Sequence, residues 1–118
     1  MTLRLLIVFL VVASAACSPV VDGADLSGDE SACSAALRCD RANCGGTDYV
    51  ISCELDEPNQ IYRCNCSADG VDGEEFSEAG ICEKDGDAFT NLDAADAAAH
   101  AVEDCGFPLS IDGALAEG

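Results

Sequence analysis

Nine cysteines are the residues of this 118-residue chain with the clearest potential for chemistry. Eight of them lie at short intervals between residues 33 and 105. They are Cys33, Cys39, Cys44, Cys53, Cys64, Cys66, Cys82 and Cys105. In an exported domain this set predicts four disulfides, each worth ~2–4 kcal/mol. Eight cysteines allow on the order of a hundred pairings, and the sequence does not choose among them.

Two of these cysteines can be excluded as partners of one another. Cys64 and Cys66 lie two residues apart in a strand-like segment, so both side chains point to the same face. A bridge between them would be strained, and we expect each to reach a different element.

Zinc binding is the alternative use of clustered cysteines. Zinc sites favour cysteine pairs separated by two to four residues. Only Cys39 with Cys44 and Cys64 with Cys66 lie close together here. The sequence therefore predicts no metal site and no cofactor.

His100 is the only histidine. It could be a ligand or a general base, but no nucleophile motif, no C-x-x-C redox motif and no phosphate-binding glycine loop accompanies it. We expect a solvated imidazole whose charge is favoured by neighbouring acids, Asp96, Glu103 and Asp104. The chain is accordingly predicted not to be an enzyme.

Two acidic segments, residues 69–75 and 83–87, place carboxylates close together, as calcium prefers. Val71 and Gly73 occupy positions where a calcium loop needs oxygen ligands. Asp-Gly pairs are also common in turns. We expect both segments to form turns. An extracytoplasmic calcium-binding domain is the alternative function.

The charge balance excludes one class of partner. The chain has 5 basic and 23 acidic side chains and a formal net charge of −18. Binding to nucleic acid depends on Lys and Arg that neutralise phosphates. We therefore expect no nucleic-acid partner.

Alternating apolar residues predict strands at 49–55 and 61–67, with a short third strand at 74–77. An alanine-rich segment predicts a helix over about 91–105, with a capping box from Thr90 to Asp93. The helix would bury one face, composed of Leu92, Ala95, Ala98, Ala99, Val102 and Cys105. The predicted fold is a small disulfide-rich α+β domain, in which a three-stranded antiparallel β-meander within 49–77 carries one packed C-terminal helix.

The N-terminus has the pattern of an export signal. A positively charged start, an apolar run from Leu5 to Val12 and small residues at 13–16 predict a cleavable signal peptide over residues 1–16. The apolar run is too short to span a bilayer, which takes about 20 residues.

The segment Ser14-Ala15-Ala16-Cys17 resembles the lipobox of bacterial lipoproteins, except that the family usually has Leu where Ser14 stands. The resemblance implies that signal peptidase II cuts before Cys17 and that its thiol carries lipid, with palmitate among the expected acyl groups. It also implies attachment to the cell envelope, and Ser18 fits the family's outer-membrane sorting. The alternative is a secreted soluble protein cut after Ala15.

Assigning Cys17 to lipid leaves an even set of eight cysteines for disulfides. We expect residues 17–32 to be a flexible acidic tether, residues 33–111 a stapled domain and residues 112–118 a frayed tail. A helical turn is expected within 33–44, around Leu37. The predicted function is a membrane-anchored, non-catalytic interaction or structural module outside the cytoplasm, whose protein or cell-surface partner the sequence does not name.

Overall fold

The computed structural model of this protein describes residues 18–39 and 42–117. Six strands form a curled, half-barrel sheet in the order β5-β4-β3-β2-β1-β8, and two short strands form a second sheet. The large sheet contains β1 (Val20–Gly28), β2 (Ala32–Cys39), β3 (Tyr49–Asp56), β4 (Ile61–Ala68), β5 (Val71–Glu78) and β8 (Ser110–Ile111). The small sheet contains β6 (Lys84–Asp85) and β7 (Ala88–Phe89). The helices are α1 (Ala42–Gly46), α2 (Ala94–Glu103) and α3 (Gly113–Glu117).

The predicted α+β fold is wrong. Strands β3, β4 and all but the last residue of β5 lie within the residues assigned to the meander. However, β1 and β2 extend the same antiparallel sheet, and β8 adds a parallel pair on the far side of β1. Helix α2 contacts β1, β2 and β8. The helix therefore packs mainly on the part of the sheet that the prediction left out.

The inner face of the sheet is built from registered rows of small and apolar side chains. One row runs Cys33, Cys53, Cys64 and Phe76 across β2 to β5. Another row runs through Ala35, Ile51 and Cys66. All of these except Phe76 are buried. The alternation predicted for 49–55 and 61–67 is therefore confirmed, and cysteines fill much of the space that large apolar residues usually occupy.

Strand β2 replaces the helical turn expected within 33–44. Its alanine content favours a helix, but Cys33, Ala35 and Leu37 alternate inward and are all buried. This period of two matches a half-buried strand. Pairing with β1 and β3 on both sides overrides the local preference.

The flexible tether expected over 17–32 is also wrong where the structure describes it. Residues 20–28 form β1, with Val21 fully buried and Asp22 and Asp25 exposed. Gly28 ends the strand with φ of +106°, and a Cβ there would lie 2.3 Å from the carbonyl oxygen of Ala32. The acidic and glycine residues that suggested a coil are the solvent-facing and turn-forming positions of a strand.

The N-cap of helix α2 lies three residues after the predicted one. Asp93, and not Thr90, is the N-cap: its side chain accepts from the N–H of Asp96, whose carboxylate accepts from the N–H of Asp93. This reciprocal pair satisfies two free backbone donors of the first turn.

The buried face of α2 matches the predicted one in part, since Leu92, Ala98 and Cys105 are buried. Ala97, Ala98 and Ala101 are fully buried, whereas Ala99 and Val102 are only partly buried. The predicted face was drawn through Leu92, which precedes the N-cap and so does not follow the helical period. The small side chains of the real face let α2 approach β1 closely.

All eight predicted cysteines form disulfides, which confirms the set. The pairs are Cys33–Cys82, Cys39–Cys44, Cys53–Cys64 and Cys66–Cys105. Cys64 and Cys66 reach different partners, as their shared face requires. The C-terminal segment is more ordered than the expected frayed tail, because residues 110–111 pair with β1 and residues 113–117 form α3.

The disulfides are expected to differ in their contribution to stability. Cys66 and Cys105 are 39 residues apart, whereas Cys39 and Cys44 are 5 apart. A longer closed loop restricts the unfolded chain more, so Cys66→Ala/Cys105→Ala should lose about 4 kcal/mol and Cys39→Ala/Cys44→Ala about 2 kcal/mol. Urea unfolding of both variants measures the difference, and equal or reversed losses would contradict the loop-length account.

Val21 tests whether β1 belongs to the folded domain. Because its side chain is fully buried, Val21→Ala should lower the free energy of unfolding by about 2 kcal/mol. The neighbouring exposed residue provides the control, and Asp22→Ala should change stability by less than about 0.5 kcal/mol. If the two variants melt alike, the strand does not contribute to the core.

Candidate functional site

The start of β1 is held firmly on both sides. The backbone N–H of Ser110 donates to the carbonyl of Pro19 at 2.8 Å, and that of Asp112 donates to Val21 at 3.0 Å. A Cβ on Gly45 would lie 3.4 Å from Cγ of Pro19, so the end of α1 flanks the same residue. We call this end of the sheet the anchor end.

The two predicted export features, the signal peptide over residues 1–16 and the lipid site at Cys17, lie outside the described residues. Their relation to the described part is nevertheless fixed by the chain. Only Ser18 and Pro19 separate Cys17 from β1. A group attached at Cys17 would thus be joined to the sheet through two residues, and not through a tether of fifteen.

The connection between β1 and β2 is closed by one carboxylate. Oδ1 of Asp29 accepts from the backbone N–H of Ser31 at 2.9 Å, from its hydroxyl at 2.6 Å and from the N–H of Ala32 at 3.1 Å. The Ser31 hydroxyl, followed by the two N–H groups, lowers the pKa of Asp29 below its ordinary value of 3.8. This residue stabilises a turn and is not directed at a ligand.

Tyr62 ties β4 to the same connection. Its hydroxyl donates to the carbonyl of Glu30. Burial, with the carboxylates of Glu30 and Glu83 nearby, raises the pKa of Tyr62, so the phenol remains a neutral donor at physiological pH. A cleft of about 320 Å³ lies beside it, lined also by Leu55 and Gln60.

His100 is not the solvated imidazole that was expected. Its side chain is 18% exposed, its ring stacks on Phe76 with centroids 4.9 Å apart, and Nδ1 lies 2.7 Å from the carboxylate of Asp104. The contact with Asp104, an acid one helical turn later, agrees with the expectation. The aromatic contact does not, because nothing in the sequence places Phe76 of β5 beside α2. His100 links the helix to the last strand of the sheet.

The acidic segments form turns and a strand. Oδ1 of Asp69 accepts from the N–H of Asp48 at 2.8 Å, and Oδ1 of Asp72 accepts from the side-chain amide of Asn65 at 2.6 Å. Asp85 lies in β6, directly before the two-residue turn to β7. Among residues 18–39 and 42–117, no group of three or more His, Cys, Asp or Glu side chains is placed to hold a metal ion.

The last strand of the sheet presents the most acidic exposed surface that a single element forms here. Seven of the eight residues of β5 are exposed, and Phe76 is partly buried. The strand contains Asp72, Glu74, Glu75 and Glu78. We call residues Val71–Glu78 the acidic edge, and it is the candidate functional site. Sequence reasoning located the strand at 74–77 but could not show that it ends the sheet.

The described cysteines offer no thiol for nucleophilic chemistry, because each of the eight is in a bridge. No helix in the described ranges is long and apolar enough to cross a bilayer. Comparisons with protein-family models, curated proteins and solved structures give no match. The site is therefore interpreted from its own geometry.

The role of Asp29 predicts a pH-dependent stability. Its folded pKa is lowered, so the carboxylate's stabilisation is fully present above about pH 3.8 and is lost as the pH falls through the folded pKa. Asp29→Asn should therefore be less stable than the wild type near neutral pH, and the difference should shrink toward about pH 2.

Urea unfolding of both proteins across this range measures the effect. Glu57→Gln, in the exposed β3–β4 turn, is the matched neutral control and should follow the wild type. A wild-type advantage over Asp29→Asn that stays constant down to about pH 2 would exclude the carboxylate as its source.

Proposed function

We propose that this protein is a lipid-anchored, non-catalytic interaction module that faces the periplasm or cell exterior of a bacterial envelope. The closed set of four disulfides is the observation that carries the proposal. Disulfides of this density are typical of small domains that function in an oxidising compartment. The four bridges use the eight cysteines from Cys33 to Cys105 and require nothing from Cys17.

The position of β1 supports a close attachment to the membrane. With Pro19 held between β8 and α1, a lipid on Cys17 would bring the anchor end of the sheet to the bilayer surface. The outer membrane is the proposed location, because Ser18 directly after the lipidated residue fits the outer-membrane sorting pattern of bacterial lipoproteins. The alternative is a secreted soluble form that is cut after Ala15. The mass of the native protein distinguishes the two forms.

The roles of the polar residues support a non-catalytic function. Of the residues considered for catalysis or metal binding, His100, Asp69 and Asp72 are each engaged in contacts between elements of the fold. What remains open to a partner is an exposed, strongly acidic surface. Protein recognition is the proposed use of that surface, with nucleic acid excluded by its charge.

Intact mass spectrometry of the native protein tests the anchor. The expected mass begins at Cys17, carries diacylglyceryl and acyl groups, and lacks eight hydrogens for the four bridges. A mass that begins at Ala16 without lipid would contradict the proposed anchor.

A Cys17→Ser variant provides the matched control. It should lose the lipid and leave the membrane fraction, while keeping the same eight-hydrogen deficit and the same melting temperature. Loss of folding in this variant would show that Cys17 has a structural role, which the proposal excludes.

A further inference from the structure

We propose that the acidic edge binds an extended, lysine- or arginine-containing segment of another protein by strand addition. The inference rests on the proposed function as an interaction module and specifies the partner. It uses the open side of β5 for main-chain hydrogen bonds and the acidic side chains for selectivity.

The position of β5 supplies the main-chain part. It ends the six-stranded sheet and, in the described part of the chain, pairs only with β4. A strand with one paired side presents a row of N–H and C=O groups on the other. The exposed side chains leave this side accessible, and Val71 at its start is 71% exposed.

The charges of β5 select the chemistry of the partner. Register places Glu75 opposite Asn65 on the outer face and Glu78 opposite Tyr62 on the inner face. Acidic side chains thus flank an added strand on both faces. Opposite charges directly across two strands stabilise pairing and like charges weaken it. The edge therefore favours a basic strand.

The same charges oppose pairing between two copies of this chain. Two β5 strands side by side would bring Glu74, Glu75 and Glu78 against the same residues of the other copy. Acidic side chains on an edge strand are a known means of preventing self-association. The acidic side chains of β5 therefore attract a basic strand and repel a second copy of the same strand.

A bulge limits the length of the docked segment. Gly73 and Glu74 together stand opposite Cys66, since the register shifts between Asn65 and Ser67. Regular pairing resumes at Glu75, so the segment that accepts a strand is Glu75–Glu78, and Glu74 lies in the bulge directly before it. About four partner residues would dock there.

The edge also lies away from the anchor end. Four strand spacings separate β1 from β5, roughly 19 Å along the sheet. A membrane-attached domain would hold its anchor end at the lipid surface and keep the acidic edge free for a partner.

Peptide binding tests the proposal on the exported protein as isolated, in non-ionic detergent. The probe is an end-blocked octapeptide of alternating Lys and Thr. Its control is the same peptide with backbone N-methyl groups at alternate residues, which keeps the charge and removes donors. Fluorescence anisotropy at about 0.15 M salt should show about tenfold weaker binding of the control. Hydrogen exchange at residues 74–78 should slow only with the first peptide.

Two variants separate local recognition from net charge. Glu74→Gln/Glu75→Gln/Glu78→Gln should weaken binding about tenfold. Glu57→Gln/Asp85→Asn/Asp87→Asn removes the same charge from exposed positions in the β3–β4 turn and the β6–β7 hairpin, and should change binding less than twofold. Equal effects of the two variants, equal binding of the two peptides, or no binding would each overturn the proposal. So would a dimer paired through residues 71–78, seen by sedimentation and hydrogen exchange without peptide.

The outcome can be separated from that of the proposed anchor. The mass of the same preparation reports the lipid on Cys17, whereas the peptide assay reports the edge whether or not lipid is present. An anchored protein that fails to bind the peptide would refute this inference alone.

Discussion

Two disulfides hold the inner face of the half-barrel closed, and the rest of the structure depends on them. Cys82 follows β5 and is bonded to Cys33 in β2, so the chain leaving the last strand is brought back across the sheet. Cys105 follows α2 and is bonded to Cys66 in β4, which fixes the end of the helix over the same face. Alanines and cysteines make up much of the buried set, and a core of small side chains gains less from burial than one of large side chains. Cross-links compensate by restricting the unfolded chain.

The sequence predicts strands correctly where apolar and β-branched residues alternate. Tyr49, Ile51 and Tyr62 mark β3 and β4 because their burial follows a period of two with strong strand formers. The composition does not predict β1, which is rich in aspartate and glycine, or β2, which is rich in alanine and cysteine. Their pairing is decided by neighbouring strands that are known only once the fold is formed.

Long-range packing also decides the pairing of the cysteines and the position of the acidic edge, and the sequence does not show it. Spacing identifies the eight disulfide cysteines and excludes a Cys64–Cys66 bridge, since a strand places both on one face. It does not show that Cys66 lies beneath the end of α2, because that depends on long-range packing. Likewise, composition identifies a strongly acidic chain, but only the strand order places several of these acids on an open edge.

The two ends of the sheet have different surroundings, and this asymmetry connects the proposals. At the anchor end, Pro19 is fixed by β8 and α1 just two residues after Cys17. At the other end, β5 is exposed and acidic, and Phe76 joins it to α2 through His100. An attachment point and a recognition surface at opposite ends of one rigid sheet would give a membrane-bound module a fixed orientation.

Disulfide mapping of the native protein tests the central claim most directly. Non-reducing digestion should give bridges Cys33–Cys82, Cys39–Cys44, Cys53–Cys64 and Cys66–Cys105. Only Asn65 separates Cys64 from Cys66, so electron-transfer fragmentation must cut the chain between these two cysteines to assign them. Any other pairing, or a peptide that contains Cys17 in a disulfide, would contradict the account.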